Sequence, residues 1–139
     1  MRGFDVMLKA LGLQEVKDRK QLISMFKSQS IRGDILVDPS TTPWCACIIN
    51  YCEREAGKKG TGRQNARSFL EYGLKVLLKD AKEGDICIFK RGTSSWQGHV
   101  TYFVKDNKDN TILCLGGNQA DKVCYSNYRT DTLLGIRRP

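Results

Sequence analysis

Histidine is almost absent from this chain. The 139 residues contain one, His99. Any site that needs two or three imidazoles from a single chain is therefore excluded: a His₃ zinc centre, an H-E-x-x-H protease, a Cys₂His₂ finger. No apolar run approaches the roughly 18–20 residues of a membrane span. The start, Met1-Arg2-Gly3-Phe4-Asp5, lacks the apolar stretch of a secretory signal, so a reducing cytoplasm is the compartment expected first. No C-x-x-C occurs, which removes zinc knuckles and thioredoxin-type motifs. Repeats, low-complexity tracts and linkers are missing too. So are dense basic runs: Lys58-Lys59, Lys90-Arg91 and Arg137-Arg138 are pairs only.

What is present fits one folded domain. Apolar residues make up 40% and charged residues 27%, an ordinary globular balance that argues against disorder. A chain of this size buries a sizeable core without disulfides or metal. The formal charge of +8 favours polyanions such as nucleic acid, acidic lipids or acidic wall polymers, and a solvated basic surface with no specific partner explains it equally well. The six cysteines are Cys45, Cys47, Cys52, Cys87, Cys114 and Cys124. Most have apolar neighbours, as in Ile86-Cys87-Ile88 and Leu113-Cys114-Leu115, where a free thiol acts as a small buried hydrophobe. The expectation is five structural thiols and one special one, rather than a disulfide framework.

The first half reads as helical. Phe4, Met7, Leu8 and Leu11 follow one helix face, closed by Gly12, and Leu22, Ile23 and Phe26 predict a second short helix. Residues 30–42 read as a loop. Thr42-Pro43 predicts a helix start, with Thr42 as N-cap and Pro43 in the first turn, and the helix runs to Gly57. Its apolar residues cover more than one side, so it should be buried on more than one face. Asn65 to Tyr72 predicts another helix, ended by Gly73. After Gly84 the period changes to two, with strands expected at Asp85–Phe89, His99–Val104, Thr111–Leu115, Lys122–Tyr125 and Leu133–Arg137. Helices first and strands second predict an α+β domain, N-terminal helices packed on a C-terminal antiparallel sheet. The segments are a lead-in over 1–40, the helical pair over 41–73 and the sheet over 74–139. Alternation places His99, Thr101 and Phe103 on one face of their strand.

Cys45 falls in the first turn of its helix, where unpaired N–H groups favour a thiolate. The helix stripe of Ile48, Ile49 and Cys52 turns it toward the sheet, in which His99 begins a strand after Gly98. Thiol and imidazole distant in sequence and adjacent in space is what a Cys–His pair requires. Asn118, after Gly116-Gly117 at the end of the next strand, is the candidate to orient the imidazole. Each residue also has an inert reading: a structural histidine, a buried thiol, a plain Gly-Gly-Asn turn.

A resemblance covers the same residues. Thr42-Pro43-Trp44-Cys45-Ala46, Gly60-Thr61-Gly62, Ala66-Arg67-Ser68, Gly84-Asp85-Ile86, Phe89-Lys90-Arg91-Gly92, Gly98-His99-Val100, Leu115-Gly116-Gly117-Asn118-Gln119 and the closing Leu133–Pro139 occur in that order. The set resembles small phage and bacterial cell-wall hydrolases of the CHAP and NlpC/P60 group, with a papain-like fold. The resemblance implies a peptidoglycan hydrolase that cleaves amide bonds of the stem peptide, with Cys45 as nucleophile, His99 as base and Asn118 as third residue. Trp44, Trp96 and Gln119 are the candidate substrate contacts. Many CHAP enzymes carry an acidic residue two positions before that Asn; Gly116 stands there, so no catalytic carboxylate is assigned. Asp34 and Asp38 lack the spacing of a calcium loop, and neither a metal nor another cofactor is expected.

The expected partner is bacterial peptidoglycan, with no specific nucleic acid, no transmembrane segment and a monomeric state. A phage endolysin, held in the host cytoplasm until a holin opens the membrane, is the setting the resemblance implies. A bacterial anti-wall effector and a virion-associated wall hydrolase share the chemistry. A non-catalytic basic module binding glycan or nucleic acid is the reading of another class.

Overall fold

The computed structural model describes residues 1–27, 38–40 and 42–139. Three helices come first: α1 (Gly3–Lys9), α2 (Arg19–Lys27) and α3 (Cys45–Glu55). A 3₁₀ helix, Ala66–Glu71, takes the place of the α-helix predicted there. Six strands follow: β1 (Leu74–Val76), β2 (Ile86–Lys90), β3 (Gly98–Asp106), β4 (Thr111–Gln119), β5 (Lys122–Arg129) and β6 (Leu133–Arg138). They form one antiparallel sheet in the order β1-β6-β2-β3-β4-β5. β1 was not expected from the sequence; its three residues are too few to show alternation, and it exists by pairing with the end of β6, Leu74 opposite Arg138. Most of the loop expected over 30–42 lies outside the described residues. Among the described residues, no helix is long and apolar enough to cross a membrane.

α3 is the centre of the molecule. Every residue from Cys45 to Asn50, with Cys52 and Glu53, is buried, as the distribution of apolar side chains required. It lies between α1, α2 and the sheet face that carries Ile86, Ile88, Val100, Tyr102, Leu115 and Val123. Full burial of Ile48 or Ile49 contributes about 2 kcal/mol each. The opposite sheet face has its own smaller core, in which Cys87, Phe89, Phe103, Ile112, Cys114 and Ile136 are covered by residues such as Val76, Leu78 and Tyr128. All six thiols are free. Glu53 is the buried charge of the helix, and its carboxylate accepts hydrogen bonds from the hydroxyls of Tyr102 (2.7 Å) and Tyr72 (2.9 Å). Burial raises its pKa.

Two departures from regular geometry position the site. α3 starts two residues later than Thr42-Pro43 predicted, at Cys45 itself, with Trp44 as N-cap. Trp44 is fully buried; its Nε1–H donates to Glu15 (3.0 Å) and its ring packs on Phe26, 5.8 Å between centroids. The second departure is a bulge in β4. Gly116 is opposite Cys124 and Gln119 is opposite Lys122, so Gly117 and Asn118 together face Val123 alone. One extra residue on one strand reverses which side chains point to which face.

The bulge depends on close approach. A Cβ at Gly117 would sit 2.5 Å from Trp44 Cζ3 and 2.7 Å from Ile48 Cγ2. Gly117→Ala is therefore expected to destabilise the fold by about 1–3 kcal/mol through overpacking, read as a lower urea midpoint with an unchanged m-value.

Candidate active site

Cys45, the candidate nucleophile, opens α3. Trp44 supplies no side-chain cap, so the first-turn N–H groups stay available. Burial raises the pKa of the Cys45 thiol; against that act the backbone N–H of Val100, the charge of Arg91, and the N–H groups of Ala46 and Cys45. The Val100 contact locates the sulfur. Val100 is the residue next to His99, in the part of β3 that is not paired with β4, since that pairing begins only at Tyr102 opposite Leu115.

His99 is 6% exposed and held by two side chains, Gln119 and Tyr128. Its Nε2 lies 3.0 Å from Gln119 Oε1 and 3.0 Å from the Tyr128 hydroxyl. Its ring packs on Tyr128, which in turn stacks on Phe89. The orientation of the Gln119 amide follows from its other partners. Nε2 of Gln119 donates to the Cys124 carbonyl (2.6 Å), an obligate acceptor, and the Thr101 hydroxyl donates to Oε1 (3.1 Å). Oε1 therefore faces His99 as an acceptor, and Nε2 of the imidazole carries the proton. The lone pair is left on Nδ1, which is buried and has no hydrogen-bond partner. The Cys45 sulfur does not hydrogen-bond it, a contact that commonly tightens only in a substrate complex. Burial lowers the His99 pKa to about 4, Gln119 opposes that shift, and Arg91 adds to it. The shifts of both groups favour a resting pair of neutral thiol and neutral imidazole.

The side chain that hydrogen-bonds the imidazole is thus Gln119 and not Asn118. Without the bulge, Asn118 would stand opposite Lys122 on the His99 side; with it, Gln119 does. Asn118 takes a left-handed backbone conformation (φ 58°) and makes no side-chain hydrogen bond among the described residues. Gly116 faces the same side as Gln119, and a Cβ there would overlap Thr101 Oγ1 and approach Gln119 Oε1 to 3.0 Å. The glycine at that position makes room for the longer amide. Gln119, expected at the substrate, is 3% exposed and serves the imidazole instead.

The cleft above Cys45 has a volume of about 230 Å³ and is lined by residues 42–43, 64–66 and 96–98, with Arg91. Of the two tryptophans proposed for substrate, Trp96 lines this cleft and is 69% exposed, whereas Trp44 is shut inside the core and cannot touch a ligand. Each wall is held by a polar clamp that sequence reasoning missed. Buried Asn50 accepts from the N–H of Thr61 (2.7 Å) and Gly62 (3.2 Å) and donates to the Arg63 carbonyl (2.9 Å). Arg67 donates to the carbonyls of Gln97 (2.8 Å) and Ser94 (2.8 Å). Tyr128 was missed as well, because β5 runs beyond Tyr125; the period of two through Cys124, Ser126 and Tyr128 is the signal that points to it. Among the described residues no cluster of acidic, His or Cys side chains could hold a metal ion. Asp38 pairs with Arg19 (2.6 and 3.0 Å), and Asp34 lies outside the described residues.

The buried imidazole makes stability depend on pH. The pKa of His99 is 6.5 in the open chain and about 4 when folded, so between these values the unfolded chain binds a proton the folded one refuses. Its contribution is full above pH 6.5 and is lost as pH falls toward 4, about 3 kcal/mol in all. Urea unfolding at both pH values should show this loss in the wild type and a smaller one in His99→Gln.

The CHAP domain profile matches residues 37–118, more than half of the chain and every residue from nucleophile to β4 bulge except Gln119 itself. A solved structure described as similar to lipoprotein, NLP/P60 family, from Staphylococcus aureus subsp. aureus Mu50 superposes with a TM-score of 0.53 at 18% identity. The match covers 85% of this chain and 41% of that one, so the chain spans less than half the length of that relative. No curated protein matches by sequence. The architecture is the α+β papain-like fold, and the chain belongs to the CHAP domain family, whose chemistry is peptidoglycan hydrolysis of the cysteine and amidase type.

Proposed function

We propose that this protein is a peptidoglycan hydrolase that cleaves an amide bond of the stem peptide through Cys45 and His99, with Gln119 fixing the imidazole. The observation that carries the reading is the buried, unpartnered Nδ1 of His99, one residue along β3 from the Val100 N–H that acts on the Cys45 thiol, which itself lines an open cleft. A buried nitrogen without a partner costs stability, and a base that must receive a proton needs that vacancy.

The chemistry follows from the tautomer. Nδ1 takes the Cys45 proton as the sulfur attacks the amide carbonyl, and a tetrahedral oxyanion forms. Free N–H groups at the start of α3 can stabilise that charge. The imidazolium remains hydrogen-bonded to Gln119 through Nε2–H. It returns the proton from Nδ1 to the leaving amine, giving a thioester, and then activates water to hydrolyse it. Because the empty site favours the neutral pair, the ion pair forms with substrate in place.

We propose the phage lysis setting as well, an endolysin kept in the host cytoplasm until a holin releases it. The charge of +8 fits an anionic wall, and family chemistry supports a lytic role. Delivery by a virion or by a competing bacterium would leave the catalytic steps unchanged.

On permeabilised Gram-negative cells, Cys45→Ala and His99→Ala should each abolish turbidity loss, whereas Cys47→Ala should keep it. Gln119→Ala should lose about 10–100-fold, as expected for an orienting group, and Asn118→Ala should stay near wild type. Full activity in Cys45→Ala would end the assignment. Mass spectrometry of the digest identifies the bond: a free L-Ala amine means an amidase, and a new cut within the stem or cross-bridge means an endopeptidase. In the lysis setting, cells expressing the protein in the cytoplasm should grow normally until chloroform opens the inner membrane; lysis without it would overturn that setting.

A further inference from the structure

Arg91 has no role in the steps above, yet it lines the cleft together with Cys45. It follows β2 directly and begins the 91–97 loop that Arg67 holds in place. Within that loop the Ser94 hydroxyl oxygen accepts from the N–H of Trp96 (3.2 Å) and Gln97 (3.0 Å), which fixes the turn that presents Trp96. Among the described residues, the Arg91 side chain makes no ion pair or hydrogen bond, and no Asp or Glu lines the cleft. Arg2, Arg19, Arg129 and Arg138, by contrast, each pair with a carboxylate.

An unpaired guanidinium here works against part of the chemistry. Its field favours the Cys45 thiolate but opposes a proton on His99. A substrate anion placed against it would cancel that opposition at the moment the base must act. Guanidinium and carboxylate match as a two-pronged pair, and such a pair gains strength when the substrate covers it from water. We propose that Arg91 is a specificity-determining residue that binds a free carboxylate of the substrate beside the scissile amide. The enzyme then prefers stem peptides in which that carboxyl group is an acid over those in which it is amidated. This rests on the hydrolase reading, and it adds which form of the substrate is taken.

The test uses synthetic muramoyl peptides in which each carboxyl group is, in turn, free or amidated. Binding to the full-length Cys45→Ala protein is measured by titration calorimetry, and cleavage by the active enzyme is measured in parallel. One amidation should weaken binding about tenfold or more. Adding Arg91→Gln should remove that difference by weakening the acid form only; Arg91→Lys should keep part of it, and Lys75→Gln, on the edge strand, all of it. Equal affinity for every acid–amide pair, or discrimination that survives Arg91→Gln, would overturn the proposal. Thermal melts of each variant separate lost binding from lost folding. An active enzyme that cuts none of the peptides counts against the hydrolase reading, while the binding ratio decides on Arg91 by itself.

Discussion

The hydrogen bond between His99 Nε2–H and Gln119 Oε1 is the contact around which the site is organised. It sets the tautomer, and the tautomer decides which nitrogen can accept a proton. Its own geometry is over-determined. The Cys124 carbonyl fixes one end of the Gln119 amide, Thr101 shares the other, and Tyr128 covers the imidazole from β5. None of these groups needs a charge. A carboxylate in the place of Gln119 would hold an imidazolium more strongly but would add a second buried ion beside the reacting pair. The neutral amide adds no buried charge beside the imidazole, whose pKa burial holds low.

That hydrogen bond depends in turn on the fault in the sheet. β3 and β4 pair from Asp106 opposite Ile112 to Tyr102 opposite Leu115, with a register shift between Phe103 and Lys105, and beyond Leu115 β4 leaves its partner across two glycines. The gap lets the start of α3 approach the start of β3, on the side of the Val100 amide that acts on the Cys45 thiol. The same two glycines serve opposite faces. Gly117 admits the Trp44 ring from the helix side, and Gly116 leaves room for Gln119 on the other. Stability and catalysis therefore share one structural device, and the fold accepts an irregular strand there because Trp44 and Ile48 fill the space around it.

Much of the fold was legible. The 3.6-residue pattern of Phe4, Met7 and Leu8, the all-round apolar character of residues 45–52 and the change to period two after Gly84 each report local backbone geometry, and the main helices and strands lie where those patterns place them. The departures have local causes. Residues 66–71 are a 3₁₀ turn, which shares its side-chain spacing with a short α-helix. β1 is too short to carry a period. Thr42 looked like a cap, but docking of the Trp44 side chain moved the helix start to Cys45.

By itself, the sequence determined that His99 is the one imidazole available to any site, that Cys45 lies at a helix start and that His99 lies at the start of a strand. Those are properties of composition and local periodicity. Only the tertiary structure decided between Asn118 and Gln119 as the partner of His99, placed Trp44 in the core and Trp96 in the cleft, and left Arg91 unpaired on the wall of that cleft. The physical reason is register. A single added residue in β4 exchanges the two faces of the strand, and whether a strand bulges depends on what packs against it from a distant part of the chain. The glycines of Gly116-Gly117 permit the bulge; Trp44, some seventy positions earlier, and Gln119 with its partners make it the geometry that is adopted.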